Sequence, residues 1–217
     1  MKTQVISNSN LNIKEKLELA FSLMKEVVDI TGVNLIDNYS YREVTALEIL
    51  KDFIPSIKKT IGRAGDDASA PNDGYFHIEK KSGTNKNKKL TMSCFPKMEF
   101  DKQNDPARRE YIFKYDGLSL SFFEYYKPFP TAVIFVPKEQ IKKLHPLIKQ
   151  KQLEAISIFE SRTKLGKNIG RDSISISLKE IVELIKIENL ICYLHGSRLD
   201  SITFFNKLNN EEILINQ

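Results

Sequence analysis

Little in this chain points to a metal cage, a disulfide scaffold or a membrane. Its 217 residues include two cysteines, Cys94 and Cys192, far apart and without the spacing of metal ligands. Neither a disulfide framework nor a zinc site fits that usage, and reduced thiols in a cytosolic setting are expected. No apolar run approaches the length of a membrane span. The opening residues, Met1-Lys2-Thr3-Gln4-Val5, lead into a polar segment that lacks the apolar stretch of a signal peptide. There is no internal repeat and no low-complexity segment.

What is present describes an ordinary soluble globular protein: 41% hydrophobic and 28% charged residues, with enough length for one domain and a sizeable core. The formal net charge of +5 and a pI near 9 suit a polyanionic partner without demonstrating one.

The informative stretch runs from Gly62 to Ser82. Pro71-Asn72-Asp73-Gly74 is a strong turn signal, Pro supplying a fixed φ and Gly a positive one. Tyr75-Phe76-His77-Ile78 then has strand composition and leads into Glu79-Lys80-Lys81. On a strand, Glu79 and Lys81 share one face while Ile78 and Lys80 share the other. A carboxylate and an ammonium side by side, with further carboxylates across a turn, make a plausible Mg²⁺ site with a water-activating lysine. A second carboxylate must then converge on Glu79. Asp73 is six residues away, roughly 20 Å along an extended strand, and suits the turn instead. Asp66 and Asp67 precede the turn, and a chain that runs out and back would bring one of them opposite Glu79.

Elsewhere the periodicity predicts an amphipathic helix over 11–31, through Ile13, Leu17, Phe21, Met24 and Val28. It packs on its own core or forms a dimer face. A second helix is expected from Tyr41 to Ile54, with Glu43 and Glu48 on its solvated side, although a carboxylate so placed can serve a metal indirectly. The basic loop Gly83–Lys89 is a candidate phosphate clamp. Thr91–Pro96 reads as a short strand. Tyr111–Tyr115, a turn at Asp116-Gly117, and Leu118–Phe123 read as an aromatic hairpin, and Thr131–Val136 as a further strand. Residues 138–160 read as a basic helix interrupted at Pro146. Ser173–Ile176 reads as a strand, and Ser177-Leu178-Lys179-Glu180 as a capping box. The last thirty residues resist placement.

Gly62-Arg63-Ala64-Gly65-Asp66-Asp67-Ala68 followed by Glu79-Lys80-Lys81-Ser82 resembles the PD-(D/E)XK nucleases, and more closely their type II restriction endonucleases. The likeness extends over about residues 30–136, taking in Asp37-Asn38 and Tyr111–Gly117, but only the Gly-Arg…Asp…Glu-x-Lys segment is specific. The resemblance implies an α/β fold: a restriction-endonuclease-like core over 1–137, with a mixed central sheet flanked by helices and N-terminal helices. Residues 138–217 would form a C-terminal α+β extension packed on it.

The same resemblance singles out Asp67 and Glu79 as metal ligands together with the Lys80 backbone carbonyl, and Lys81 as the catalytic lysine. It implies Mg²⁺ as cofactor and site-specific hydrolysis of double-stranded DNA to 5′-phosphate ends. A palindromic target implies a homodimer, and a restriction role implies a cognate DNA methyltransferase and a prokaryotic cytoplasm. Asp37, Lys86, Lys88, Lys89, Ser93, Lys97 and Arg109 are the candidate DNA contacts. Two departures stand out. Ala64 replaces an acidic residue of the relatives, and Ser93-Cys94-Phe95-Pro96-Lys97 occupies the place of a base-reading histidine run, so a different target sequence is expected. Other readings are a repair nickase, a resolvase or a modification-dependent enzyme of the same superfamily, or a non-catalytic DNA-binding protein of that fold.

Overall fold

A computed structural model describes residues 11–31, 39–60, 67–84, 89–124, 127–166 and 172–215. Its centre is a seven-stranded sheet in the order β1-β2-β3-β5-β6-β8-β9. The strands are β1 (Lys58–Lys59), β2 (Ala68–Ala70), β3 (Tyr75–Thr84), β5 (Gly117–Phe123), β6 (Ala132–Pro137), β8 (Ile191–Leu194) and β9 (Ser197–Leu199). A separate antiparallel pair joins β4 (Met98–Phe100) to β7 (Ile174–Ile176). Among the described strands only β3 and β5 run parallel; the other neighbours in the large sheet are antiparallel. The molecule is therefore a mixed α/β protein. A parallel neighbour requires a long crossover, and here that crossover carries β4 and the helix α3 (Pro106–Tyr111) over one face of the sheet.

Alternation along the strands divides the interior in two. Leu118, Leu120, Phe122, Ile134, Val136 and Cys192 point to one side. There they pack with α4 (Lys138–Ile141), α5 (His145–Lys164), α6 (Leu178–Leu184) and α7 (Ser201–Asn209). Ile78, Val133, Phe135 and Tyr193 point to the other side, where Leu47 and Leu50 of α2 (Tyr39–Leu50) and Ile54 beyond it cover them. Helix α1 (Ile13–Thr31) lies over α2, tied by the Tyr41 hydroxyl donating to the Leu17 carbonyl at 2.9 Å. Phe21 is its one buried residue, while Ile13, Leu23, Val27 and Ile30 are exposed. Among the described residues no helix is long and apolar enough to cross a membrane.

The structure differs from the sequence reading in several places. Tyr111 ends α3, and Ile112–Lys114 is a 3₁₀ turn rather than a strand. Asp105 caps α3, its carboxylate accepting from the Ala107 N–H at 2.9 Å, and Pro106 starts it. The hairpin is instead β5 with β6, and Gly117 opens β5. A Cβ there would come within 2.8 Å of Phe135 Cζ, so the glycine answers a close approach and not a turn. Met92–Cys94 is a 3₁₀ turn, and the nearby strand is β4. Pro146 sits in the first turn of α5, beginning that helix instead of interrupting it. Glu43 and Glu48, expected in solvent, are both 6% exposed, because α2 is buried on nearly every side. Residues 138–217, expected as an extension packed on the core, contribute strands to the central sheet: β8 pairs with β6, and β9 with β8.

Candidate active site

The turn at Pro71–Asp73 folds β2 back on β3, closed by Gly74 at φ 79°. Asp73 belongs to that turn, its carboxylate accepting from the Ser56 N–H at 2.8 Å and hydroxyl at 2.6 Å. Asp67 stands at the near end of β2, its N–H donating to the Ile78 carbonyl at 3.0 Å. Its carboxylate Oδ2 accepts from the Lys80 N–H at 2.7 Å. Asp67 is thereby brought beside Glu79 across the hairpin. Asp66 and the Gly62–Gly65 segment lie outside the described residues.

Along β3 the side chains alternate as the strand period requires. Glu79 and Lys81 face the side of the sheet that carries α3, and Lys81 Nζ meets Glu79 Oε1 at 2.9 Å. Lys80 faces α2, where its ammonium donates to the Glu43 carbonyl at 3.3 Å. Glu43 in turn pairs with Lys59 at 2.6 Å. Lys80 is 2% exposed. Burial pulls its pKa down to about 8, against the opposing pull of Glu43 and Asp67.

Asp67, Glu79 and Lys81 line one cleft of about 340 Å³. Its far wall is the crossover: Glu99 and Asp101 at the end of β4, Lys102 beyond it, then Arg108, Tyr111 and Tyr115. Tyr115 hydrogen-bonds to Glu79. Lys102 adopts φ 61°, an uncommon conformation for a lysine. Both hairpin carboxylates are poised above their ordinary pKa. For Glu79 the cause is burial, then the neighbouring Asp67, opposed by Lys81 and Tyr115. For Asp67 it is burial, opposed by the Lys80 N–H and the two lysine charges. Two carboxylates held together out of water attract a cation.

Among the described residues no group of three or more His, Cys, Asp or Glu side chains is arranged to hold a metal ion. A hard ion that keeps most of its waters needs fewer protein ligands, and two carboxylates suit Mg²⁺.

No protein-family model matches this chain, and no curated protein is similar to it.

The expected DNA contacts separate from this cleft. Asp37, Lys86 and Lys88 lie outside the described residues. Lys89 pairs with Glu211 at 3.5 Å. The Ser93 hydroxyl bonds to that of Thr91 at 2.9 Å. Lys97 is exposed but does not line the cleft. Arg109 does not line the cleft either; its backbone carbonyl accepts from Gln152 at 3.1 Å, and its neighbour Arg108 takes the cleft position. Glu99, Asp101, Lys102, Arg108, Tyr111 and Tyr115 are among the cleft residues that sequence reasoning missed. Their place depends on the fold of the crossover; the one local signal was the Asp105-Pro106 helix start, which sets the phase of Arg108.

Proposed function

We propose that the protein is a Mg²⁺-dependent endonuclease of the PD-(D/E)XK kind, a type II restriction enzyme that hydrolyses phosphodiester bonds in double-stranded DNA. The observation that carries this reading is the convergence of Asp67, Glu79 and Lys81 in one cleft, from positions twelve and fourteen residues apart in an antiparallel hairpin. A hairpin followed by a crossover to a parallel strand, with helices on both faces, also accords with a restriction-endonuclease-like core.

Asp67 and Glu79, with the Lys80 carbonyl, would hold the metal. When bound, Mg²⁺ supplies Lewis acidity, offsetting charge on the scissile phosphate and acidifying water beside it. The chain's own part is to arrange the rest in advance. The Lys80 N–H fixes the Asp67 carboxylate, and Tyr115 and Lys81 fix that of Glu79. The Lys81 ammonium orients the attacking water or stabilises negative charge as it develops on the phosphate. On the opposite wall Arg108 and Lys102 set positive charge beside the carboxylates of Glu99 and Asp101. By resemblance the products carry 5′-phosphates, and a palindromic target would take a twofold dimer, one subunit to each strand.

The reading is tested on supercoiled plasmid. The wild-type protein should nick or linearise it in Mg²⁺ and not in EDTA, and Asp67→Ala should bind DNA without cutting. An absence of cleavage under every divalent cation tried would favour the non-catalytic DNA-binding alternative.

A further inference from the structure

A basic hollow adjoins the cleft. His77 lies two residues before Glu79 on the same face of β3 and helps line a cavity of about 340 Å³ with Lys114, Lys138, Lys142, His145 and Asp116. Asp116 sets one carboxylate against the three lysines, held in place by the N–H groups of Phe76 and His77, which its two oxygens accept at 2.8 and 3.0 Å, so the lining keeps an excess of positive charge. No described carboxylate forms an ion pair with any of the three lysines. Lys138 and Lys142 stand one helical turn apart, where like charges repel. Such charges gathered around one concavity repel each other until an anion joins them.

The hollow and the cleft share a wall. Tyr115 lines both. Tyr111 packs edge-on against Tyr115 at 5.7 Å and against His77 at 6.0 Å, and Lys114 Nζ lies 5.5 Å over the Tyr111 ring. His77 and Glu79 are separated by about 6.6 Å along the strand. A nucleic-acid strand rising about 3.4 Å per nucleotide covers that in about two steps.

We propose that this hollow is a second phosphate subsite, gripping the DNA backbone beside the phosphate to be cut. The proposal rests on the nuclease reading, but a different measurement decides it. Lys138 and Lys142 are exposed, so exchanging them leaves the interior intact. Binding of a fluorescein-labelled duplex is measured in EDTA over a salt series for the wild type, for Lys138→Gln/Lys142→Gln, and for a control, Lys179→Gln/Lys186→Gln, whose exposed lysines line neither cavity.

One lost phosphate contact should reduce the slope of log affinity against log salt by about 0.9. Affinity should fall about tenfold in the first variant and hold in the control, and plasmid cleavage in Mg²⁺ should show a raised KM with kcat unchanged. A slope equal to the wild type, or an equal loss in the control, overturns the proposal. If the slope falls as expected while Lys81→Ala cuts like the wild type, the subsite stands and the assigned catalytic site falls. If Lys81→Ala is inactive while the Lys138→Gln/Lys142→Gln protein binds as wild type, the catalytic site stands and the subsite falls.

Discussion

Individual side chains do exact structural work away from the cleft. Glu180 closes the capping box of α6, accepting from the Ser177 N–H at 2.8 Å and hydroxyl at 2.7 Å, and pairs with Lys151 at 2.8 Å. Burial alone would raise its pKa, but these donors hold it down, from 4.5 to about 2. A depressed carboxylate stabilises the fold above its unfolded value, and that contribution is lost as pH falls through its folded value. Urea midpoints should therefore separate the wild type from Glu180→Gln at neutral pH. The gap should close as the pH drops from about 4.5 to about 2; a gap unchanged at the acid end would refute the assignment. Gly117 offers a steric counterpart. Its missing Cβ makes room for Phe135 and Ile78, both fully buried. Gly117→Ala should cost about 1–3 kcal/mol in chemical denaturation, and Phe135→Leu should recover part of that loss.

At the scale of elements, the far wall of the cleft is held from behind. Gln103, 1% exposed, donates to the Phe100 and Asp101 carbonyls at 3.2 and 3.1 Å and accepts from Gln152 of α5 at 3.0 Å. The Gln103 N–H donates to the Asp172 carbonyl at 2.8 Å, and the Asn104 N–H to the Asp172 carboxylate at 2.9 Å. The later part of the chain thus braces the loop that carries Lys102 and leads to Arg108. Gln152→Ala leaves a buried acceptor unmet and should destabilise by about 1–3 kcal/mol. In a double-mutant cycle with Gln103→Ala the losses should fail to add; simple additivity would mean the pair is not coupled.

The β2–β3 hairpin was legible because Pro71–Gly74 is local turn chemistry and strand alternation sorts Glu79 and Lys81 from Lys80. The helix at Pro106–Tyr111 was not, because aromatic composition around Tyr111–Tyr115 outweighed the Asp105-Pro106 start signal. The burial of Glu43 and Glu48 was also hidden: periodicity assigns one polar face to a helix, and α2 has none to spare.

Over the whole molecule, one seven-stranded sheet joins early and late parts of the chain, with only β4 and β7 paired apart from it among the described strands. Strands from before the cleft and from the last thirty residues hydrogen-bond into a single layer with a separate core on each face. Those late strands were beyond sequence reading because β8 and β9 are four and three residues long and take their order from pairing, β8 with β6 and β9 with β8. The cleft opens where the hairpin meets the crossover, so its two sides are set by different parts of the chain. Its hairpin carboxylates, Asp67 and Glu79, could be sought from local pattern, but Glu99, Asp101, Lys102 and Arg108 on the far wall required the fold. We propose that Asp67, Glu79 and Lys81 act as one catalytic unit on a phosphodiester. The measurement that bears on it most directly is the single-turnover rate of plasmid cleavage in Mg²⁺ for wild type and Lys81→Ala, both shown to bind duplex DNA. Loss of the ammonium should slow cleavage by about 10²–10³-fold, the scale of removing one stabilising donor, with DNA affinity nearly retained. Cleavage by Lys81→Ala at the wild-type rate would contradict the claim.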